Sequence, residues 1–134
     1  MIENLDMILR LILAAIAGGL IGLEREMVHR PAGIRTHMLV SLGASLFALI
    51  TIYQYPDSAD KIIAGIATGV GFLGAGTIFK SKNNVQGLTT AASIWVVSAV
   101  GLAIGLGYYL MTLTSVVLML LILHMNKVRF FQGL

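Results

Sequence analysis

The sequence predicts an all-α membrane protein, folded as a compact bundle of five transmembrane helices. Of its 134 residues, 57% are hydrophobic and 11% are charged, whereas a soluble domain carries roughly 25% charged residues. The mean hydropathy is +0.91. The apolar residues form five runs, and most basic residues lie in the short segments between them. Since a chain of this length holds one domain, we predict a single transmembrane domain over residues 1–134.

Each apolar run is near the lower limit of the roughly 17–25 residues that cross a bilayer as a helix. The five runs are Leu5–Leu23, Met38–Tyr53, Ile62–Phe79, Thr89–Leu106 and Tyr108–Met125. The residues before the first run are acidic, whereas a cleaved signal peptide begins with basic residues, so we expect this run to be retained as a helix. The last two runs are together too long for one crossing, which predicts a tight turn at Gly107–Tyr109.

The distribution of Lys and Arg predicts the orientation of the bundle. Seven of the nine basic residues follow the first, third or fifth run, namely Arg25, Arg30, Arg35, Lys80, Lys82, Lys127 and Arg129. The segment after the second run, 54–61, is acidic with a single Lys. Because cytoplasmic loops are enriched in Lys and Arg, we predict five crossings with the N-terminus outside and the C-terminus inside.

The first run contains a basic residue, Arg10, among apolar and small residues. A charged side chain at the centre of a bilayer costs about 2.5–3.5 kcal/mol, and less near an interface. Two interpretations stay open from the sequence. The Arg10 side chain extends to the outer headgroups, or it faces the bundle and binds a polar cavity or the carbonyl end of a helix.

The segment after the first run carries most of the charge, with Glu24 and Glu26 beside three arginines. One interpretation is a solvated helix end. The other is that Glu24 or Glu26 pairs with Arg35 beneath the bundle and forms a cation or partner site. Mg²⁺ prefers carboxylates, but two carboxylates among three arginines are a poor metal cage, and His29 and His37 lack the spacing of a zinc site. The chain has no cysteine, which excludes a disulfide, a thiolate metal site and a Cys nucleophile. We expect no cofactor, and the sequence identifies no metal ligands.

The stretch Gly69–Trp95 joins two glycine-rich apolar runs through a polar loop. Glycine costs about 1 kcal/mol relative to Ala in a soluble helix, but in a membrane it lets helix backbones approach closely. We predict packing roles for six glycines of the chain: Gly18, Gly22, Gly71, Gly74, Gly76 and Gly87. Thr89 or Thr90 is predicted as the N-cap of the fourth helix. We expect the GFLGAG and GLTTAA segments to form a hairpin that packs on the small face of the first helix.

Four segments in order resemble the membrane domain of the MgtC/SapB family. They are GGLIGLERE, PAGIRTHMLVSLGA, GFLGAGTIF and NVQGLTTAASIWVVSAVGLAIGLGYY, and they cover about Ile8 to Leu121. The resemblance implies a bacterial inner-membrane protein with a role in magnesium limitation, acid stress and survival inside host cells, exerted through contact with other membrane proteins such as ATP synthase. Longer relatives add a soluble C-terminal domain. The chain ends at Leu134, so we expect a short, SapB-like member without that domain.

The family motifs fall on polar residues at one end of the predicted bundle. Together with Arg10, they give a candidate functional cluster of Arg10, Glu24, Arg25, Glu26, Arg35, Thr36, Asn84, Thr89 and Thr90. Gln86 stands where many members have Arg, which weakens the case for an anionic partner at that point.

The residues and the resemblance leave two classes of function open. The first is a regulatory or interaction protein of the inner membrane in magnesium homeostasis and stress or host adaptation. The second is a small oligomeric transporter or channel for Mg²⁺ or another cation; backbone carbonyls at glycine breaks can bind an ion. An enzyme is not expected, because the serines of the apolar runs have no suitably placed His or Asp and no nucleophile motif is present. As partners we expect the bilayer and a second copy of the chain, plausibly in a dimer, and no nucleic acid.

Overall fold

The computed structural model describes residues 2–82 and 84–125 of the chain. Those residues form five α-helices: α1 (Ile2–Met27), α2 (Ile34–Gln54), α3 (Ala59–Ala75), α4 (Leu88–Gly105) and α5 (Tyr109–His124). A 3-10 turn, Pro56–Ser58, precedes α3. In place of the predicted loop after α3, β1 (Phe79–Ser81) pairs antiparallel with β2 (Asn84–Gln86). The helical class is confirmed, while Lys127 and Arg129, used to predict the orientation, lie outside the described residues.

The helix bounds differ from the apolar runs by three or four residues at both ends of α1, at both ends of α3 and at the beginning of α2. Two of these differences have a local explanation. α1 continues through residues 24–27, because Glu, Arg and Met are good helix formers. α3 ends at Ala75 and not at Phe79. After Gly76, the backbone N–H of Thr77 donates to the carbonyl oxygen of Gly74 at 2.9 Å, which tightens the last turn, and Phe79 begins β1. The third apolar run is therefore part helix and part strand.

α4 is the central helix and packs against α1, α2, α3 and α5. Two of its glycines let α2 approach closely. A Cβ added at Gly101 would overlap the Ser41 carbonyl group, and one added at Gly105 would lie 2.7 Å from the Ser45 carbonyl oxygen. Close backbone approach of this kind supplies the van der Waals contact that holds membrane helices together. Neither glycine belongs to the predicted packing set.

The small face of α1 packs on α2. A Cβ added at Gly18 would overlap the His37 carbonyl oxygen, and one added at Gly22 would lie 2.6 Å from the Cα of Ile34. Gly18 and Gly22 therefore lie where α1 closely approaches the backbone of α2. The prediction that the GFLGAG–GLTTAA hairpin covers this face is wrong, because α2 occupies it.

The glycines of the GFLGAG segment have different surroundings. A Cβ added at Gly74 would lie 3.2 Å from the carbonyl oxygen of Ala91 in α4, so Gly74 lies where α3 packs against α4. A Cβ added at Gly71 would meet nothing within 4 Å, and one added at Gly76 would meet only the Leu73 carbonyl oxygen of its own segment. Within the described part of the chain, Gly71 and Gly76 therefore have no close contact with another helix, and their packing roles stay predictions.

Gly87 is required by backbone conformation. Its φ is +90°, in the left-handed region that glycine adopts without strain, and an added Cβ would overlap the Thr77 carbonyl group. Gly87 is the N-cap residue of α4, with no side-chain cap. Thr89 and Thr90 consequently lie inside the first turn, and the prediction of a threonine N-cap is wrong.

In the part of the chain that the structure describes, three helices are long and apolar enough to span a membrane: Glu3–Met27, Ile34–Gln54 and Leu88–Gly105. Their outer faces and those of the other helices expose large apolar side chains, such as Phe72 and Leu110. The protein is therefore a membrane protein. α3 and α5 have 17 and 16 residues and span only about 24–26 Å, against a hydrocarbon core of about 30 Å.

Candidate functional site

The corner between α1 and α2 is closed by a carboxylate. The Oε2 of Glu26 accepts a hydrogen bond from the backbone N–H of Ile34 at 2.8 Å. Ile34 is the first residue of α2, and the N-cap residue Gly33 has no side chain to serve as a cap. Glu26 therefore satisfies one of the free N–H groups of α2, and its negative charge lies at the positive end of the helix dipole.

Arg25 is the most deeply buried charged side chain of this corner, at 4% exposed. Its Nε and Nη2 both contact the Oε2 of the neighbouring Glu24 in an ion pair. Arg35 is exposed at the start of α2 and takes part neither in this pair nor in the Glu26 contact. The observed pairing is thus different from the predicted pairing of a glutamate with Arg35, and Thr36 beside it is half-buried.

His37 links α2 to α4 and was absent from the predicted cluster. Its contact with Ser93 also corrects the expectation that the serines of the apolar runs have no His partner. His37 is fully buried. Its Nδ1 donates to the Gly33 carbonyl oxygen at 2.9 Å, and its Nε2 lies 2.9 Å from the Oγ of Ser93, which contacts the Thr90 carbonyl oxygen at 2.8 Å. A neutral imidazole has one N–H hydrogen and the Ser93 hydroxyl has one hydrogen. Only two of these three contacts can therefore be hydrogen bonds at any one time. Buried polar series of this kind hold two elements in one arrangement.

The beginning of α4 adjoins this corner through the β1–β2 hairpin. Asn84 is exposed on β2, Thr89 is exposed in the first turn of α4, and Thr90 is buried. A cavity of about 290 Å³ lies between this turn and Arg30 of the α1–α2 connection. The structure therefore brings the ends of α1 and β2 together with the beginnings of α2 and α4.

Arg10 lies at the other end of the bundle, about 22 Å from Arg25 along α1 at 1.5 Å per residue. Its Nη1 donates to the Gly105 carbonyl oxygen at 2.8 Å, and its Nη2 pairs with Asp6 at 2.7 Å. The guanidinium also lies over the ring of Tyr109, with 5.9 Å between the Cζ and the ring centroid. Of the two open interpretations, Arg10 therefore binds the carbonyl end of a helix, α4. Its placement in one cluster with Glu24 is wrong.

The end of the bundle where α2 and α4 begin, called the polar end, presents the N-termini of both helices and the side chain of Arg30. Among the described residues, no three His, Cys, Asp or Glu side chains are grouped so that they could hold a metal ion. Sequence reasoning missed His37 and Arg30 at this end. A histidine one turn into a helix, four residues after a glycine carbonyl, was the available signal for His37.

Comparison with known proteins finds a matching family and relatives from bacteria. The model of the MgtC family matches residues 11–129. The "Putative magnesium transporter YhiD" of Escherichia coli K12 is 44% identical over 128 residues, covering 89% of this chain and 60% of that protein. "Protein MgtC" of Salmonella typhimurium LT2 is 43% identical over 113 residues, covering 84% and 49%.

"Protein MgtC" of Brucella abortus is 48% identical over 95 residues, covering 70% of this chain and 40% of that protein. The chain thus spans about half the length of the curated relatives it matches. No solved structure matches it.

Proposed function

This chain belongs to the MgtC family, and from that membership we propose a regulatory or interaction protein of the bacterial inner membrane with a role in magnesium homeostasis. The family match over residues 11–129 supports the proposal. So do the names of the relatives, one of which is a putative magnesium transporter. The chain spans about half the length of those relatives. A role that belongs to the whole relative is therefore only proposed for this chain.

The observation that carries a regulatory role over transport is the filled centre of the bundle. Between α1, α2 and α4, the side chains of Ala14, Ile21 and Val97 are fully buried. Mg²⁺ requires oxygen ligands and gives up its water reluctantly. Within the described residues, the acidic side chains lie near helix ends or in connections, and none faces this centre. Within the described residues, the centre of one copy therefore holds no carboxylate ligand for the ion, and its buried polar groups are mainly hydroxyls such as those of Ser41 and Ser45.

We place the polar end of the bundle, with Glu24, Glu26 and Arg30, on the cytoplasmic side. The basic segments support this orientation by the positive-inside rule. It requires five crossings, with the N-terminus outside. The shorter α3 and α5 would then be accommodated by local thinning of the bilayer, at a modest cost per ångström of mismatch.

Oligomeric ion transport is the second candidate, and one observation favours it. An apolar groove of about 680 Å³ lies between α2 and α3. Its wall includes Gly43, Gly65 and Gly69, where an added Cβ would meet nothing within 4 Å. Unfilled glycine surfaces suit close approach of another membrane helix, so a second copy there could create a route at the interface between copies.

Reconstitution in liposomes distinguishes the two candidates. We expect no flux of Mg²⁺, Na⁺, K⁺ or H⁺ above that of protein-free vesicles. We also expect a membrane partner, captured by crosslinking in cells, whose yield falls in Asn84→Ala and is kept in Asp57→Ala. Asn84 and Asp57 are both exposed, at opposite ends of the bundle. Mg²⁺ flux that Asn84→Ala or Glu24→Ala abolishes and Asp57→Ala retains would overturn the regulatory proposal in favour of transport.

A further inference from the structure

The first turn of α4 contains no acidic side chain of its own, and the N-cap residue, Gly87, makes no side-chain hydrogen bond. The first N–H groups of a helix have no partner within the helix, and together they amount to roughly half a positive charge. At α2 the carboxylate of Glu26 fills this position; at α4 the position opens into the cavity of about 290 Å³.

Thr90 supplies an independent observation in the same cavity. It lines the cavity and is only 2% exposed. Thr51 and Thr112, deeper in their helices, donate to the carbonyl oxygen four residues earlier. Thr90 is too close to the start of α4 for that contact, and its hydroxyl makes no hydrogen bond with any residue in the described ranges. The Thr90 hydroxyl is not one of the fully enclosed polar atoms of the described residues, so it is accessible from the cavity and can donate to an acceptor oxygen there.

The walls of the cavity carry positive charge. Arg30 lines it from the α1–α2 connection and takes part in no ion pair within residues 2–82 and 84–125. Lys80 is the cross-strand partner of Val85, another wall residue. Antiparallel partners share one face of a sheet, so Lys80 is beside the cavity. Arg30 and Lys80 thus supply the positive charge that Gln86 lacks.

We propose that this cavity binds a phosphate group, an anion that suits a helix N-terminus and a guanidinium together. The N–H groups of the first turn of α4, the Thr90 hydroxyl and the Arg30 guanidinium are the donors. The volume is at the lower end of ligand sites and holds a phosphate with a small substituent. Since α4 begins its apolar span at this point, the phosphate comes from a lipid headgroup at the membrane surface or from a soluble phosphate. The site does not depend on the proposed function.

The purified full chain tests the site with two probes. Inorganic phosphate is titrated into protein in a neutral detergent by calorimetry. Lipid retention is measured by native mass spectrometry after extraction from vesicles of phosphatidylglycerol and phosphatidylcholine. Arg30→Gln should weaken binding of the responding probe about 10- to 100-fold, and Thr90→Val about 3- to 10-fold. The matched control, Arg35→Gln, removes an exposed arginine outside the cavity and should change binding less than 2-fold.

Binding of inorganic phosphate with this pattern of variants supports a soluble ligand. Lipid retention with the same pattern, and no binding of inorganic phosphate, supports a headgroup. Binding of neither probe overturns the proposal. So does an equal loss in Arg30→Gln and Arg35→Gln, which would indicate only a general effect of net charge. If Thr90→Val does not fold, as judged by circular dichroism, Thr89→Val and Thr90→Ser replace it. Thr90→Ser keeps the hydroxyl and should bind the probe like the parent. A loss of binding in Thr90→Ser as large as that in Arg30→Gln would also overturn the proposal.

Discussion

Gly101→Ala adds a single methyl group at the tightest contact between α2 and α4. The added Cβ would overlap the Ser41 carbonyl oxygen and lie 2.7 Å from the Ser41 Cα. These are backbone atoms, so no side chain can rotate away, and the two helices must separate or shift. Inserting a methyl group into a packed core typically costs about 1–3 kcal/mol.

Gly71→Ala is the matched control, because the same methyl group at Gly71 meets nothing within 4 Å. Both substitutions gain up to about 1 kcal/mol in helix propensity. The difference between them therefore isolates the steric cost. We expect Gly101→Ala to lower the free energy of unfolding by about 1–3 kcal/mol relative to Gly71→Ala, a 5- to 150-fold change in the folding equilibrium.

The measurement is unfolding in mixed micelles with increasing SDS, followed by far-ultraviolet circular dichroism. Light scattering on the same samples reports the oligomeric state, because a second copy packed on α3 would also change the control. Free energies of Gly101→Ala and Gly71→Ala that agree within about 0.5 kcal/mol, with the oligomeric state unchanged, would refute the contact between α4 and the Ser41 backbone.

Two further predictions use the same unfolding measurement. Arg10→Met removes the donor to the Gly105 carbonyl oxygen and should lower the free energy of unfolding by about 1.5–3 kcal/mol, the range for a charged hydrogen bond. The control Arg35→Met, at an exposed position, should change it by less than about 0.5 kcal/mol. Equal effects of the two substitutions would contradict the role of Arg10 at the end of α4. His37→Phe keeps an aromatic ring but removes both polar contacts of the imidazole, and it should lower the free energy of unfolding by about 1–3 kcal/mol. In the His37→Phe background, Ser93→Ala should cost less than in the parent. Purely additive losses would argue against coupling of the two residues.

The helices of this chain are predictable because long apolar runs separated by charged segments leave few alternatives. The run from Leu5 to Leu23 corresponds to α1, and charge at its end correctly indicated a polar corner. The bounds failed where apolar residues were not helical. Ile78 and Phe79 are as hydrophobic as the helix before them, yet they follow Gly76 and enter the hairpin, and hydrophobicity alone does not distinguish these conformations.

The contacts between helices were less predictable, for a physical reason. In a soluble helix the apolar stripe marks the buried face, but a membrane helix is apolar on all sides, so this signal is lost. Glycine content shows that close approach is possible without showing which glycine meets which helix. Gly101 and Gly71 are equivalent on that criterion, and only the structure distinguishes the buried one from the exposed one. The buried position of His37 was also not predictable, because its partner Ser93 is far away in the sequence and only the packing of α2 on α4 brings the two together.

The bond from Arg10 to the Gly105 carbonyl joins residues 95 positions apart, and this separation affects how the protein is made. At roughly 5–20 residues per second of synthesis, α1 and α2 can pair seconds before α4 leaves the ribosome. Until then the guanidinium of Arg10 and the Ser41 face of α2 have no α4 to contact. α3, which packs mainly on α4, must also enter the membrane ahead of its principal neighbour. The nascent chain therefore passes through a stage in which the insertion machinery or lipid headgroups have to shield these surfaces.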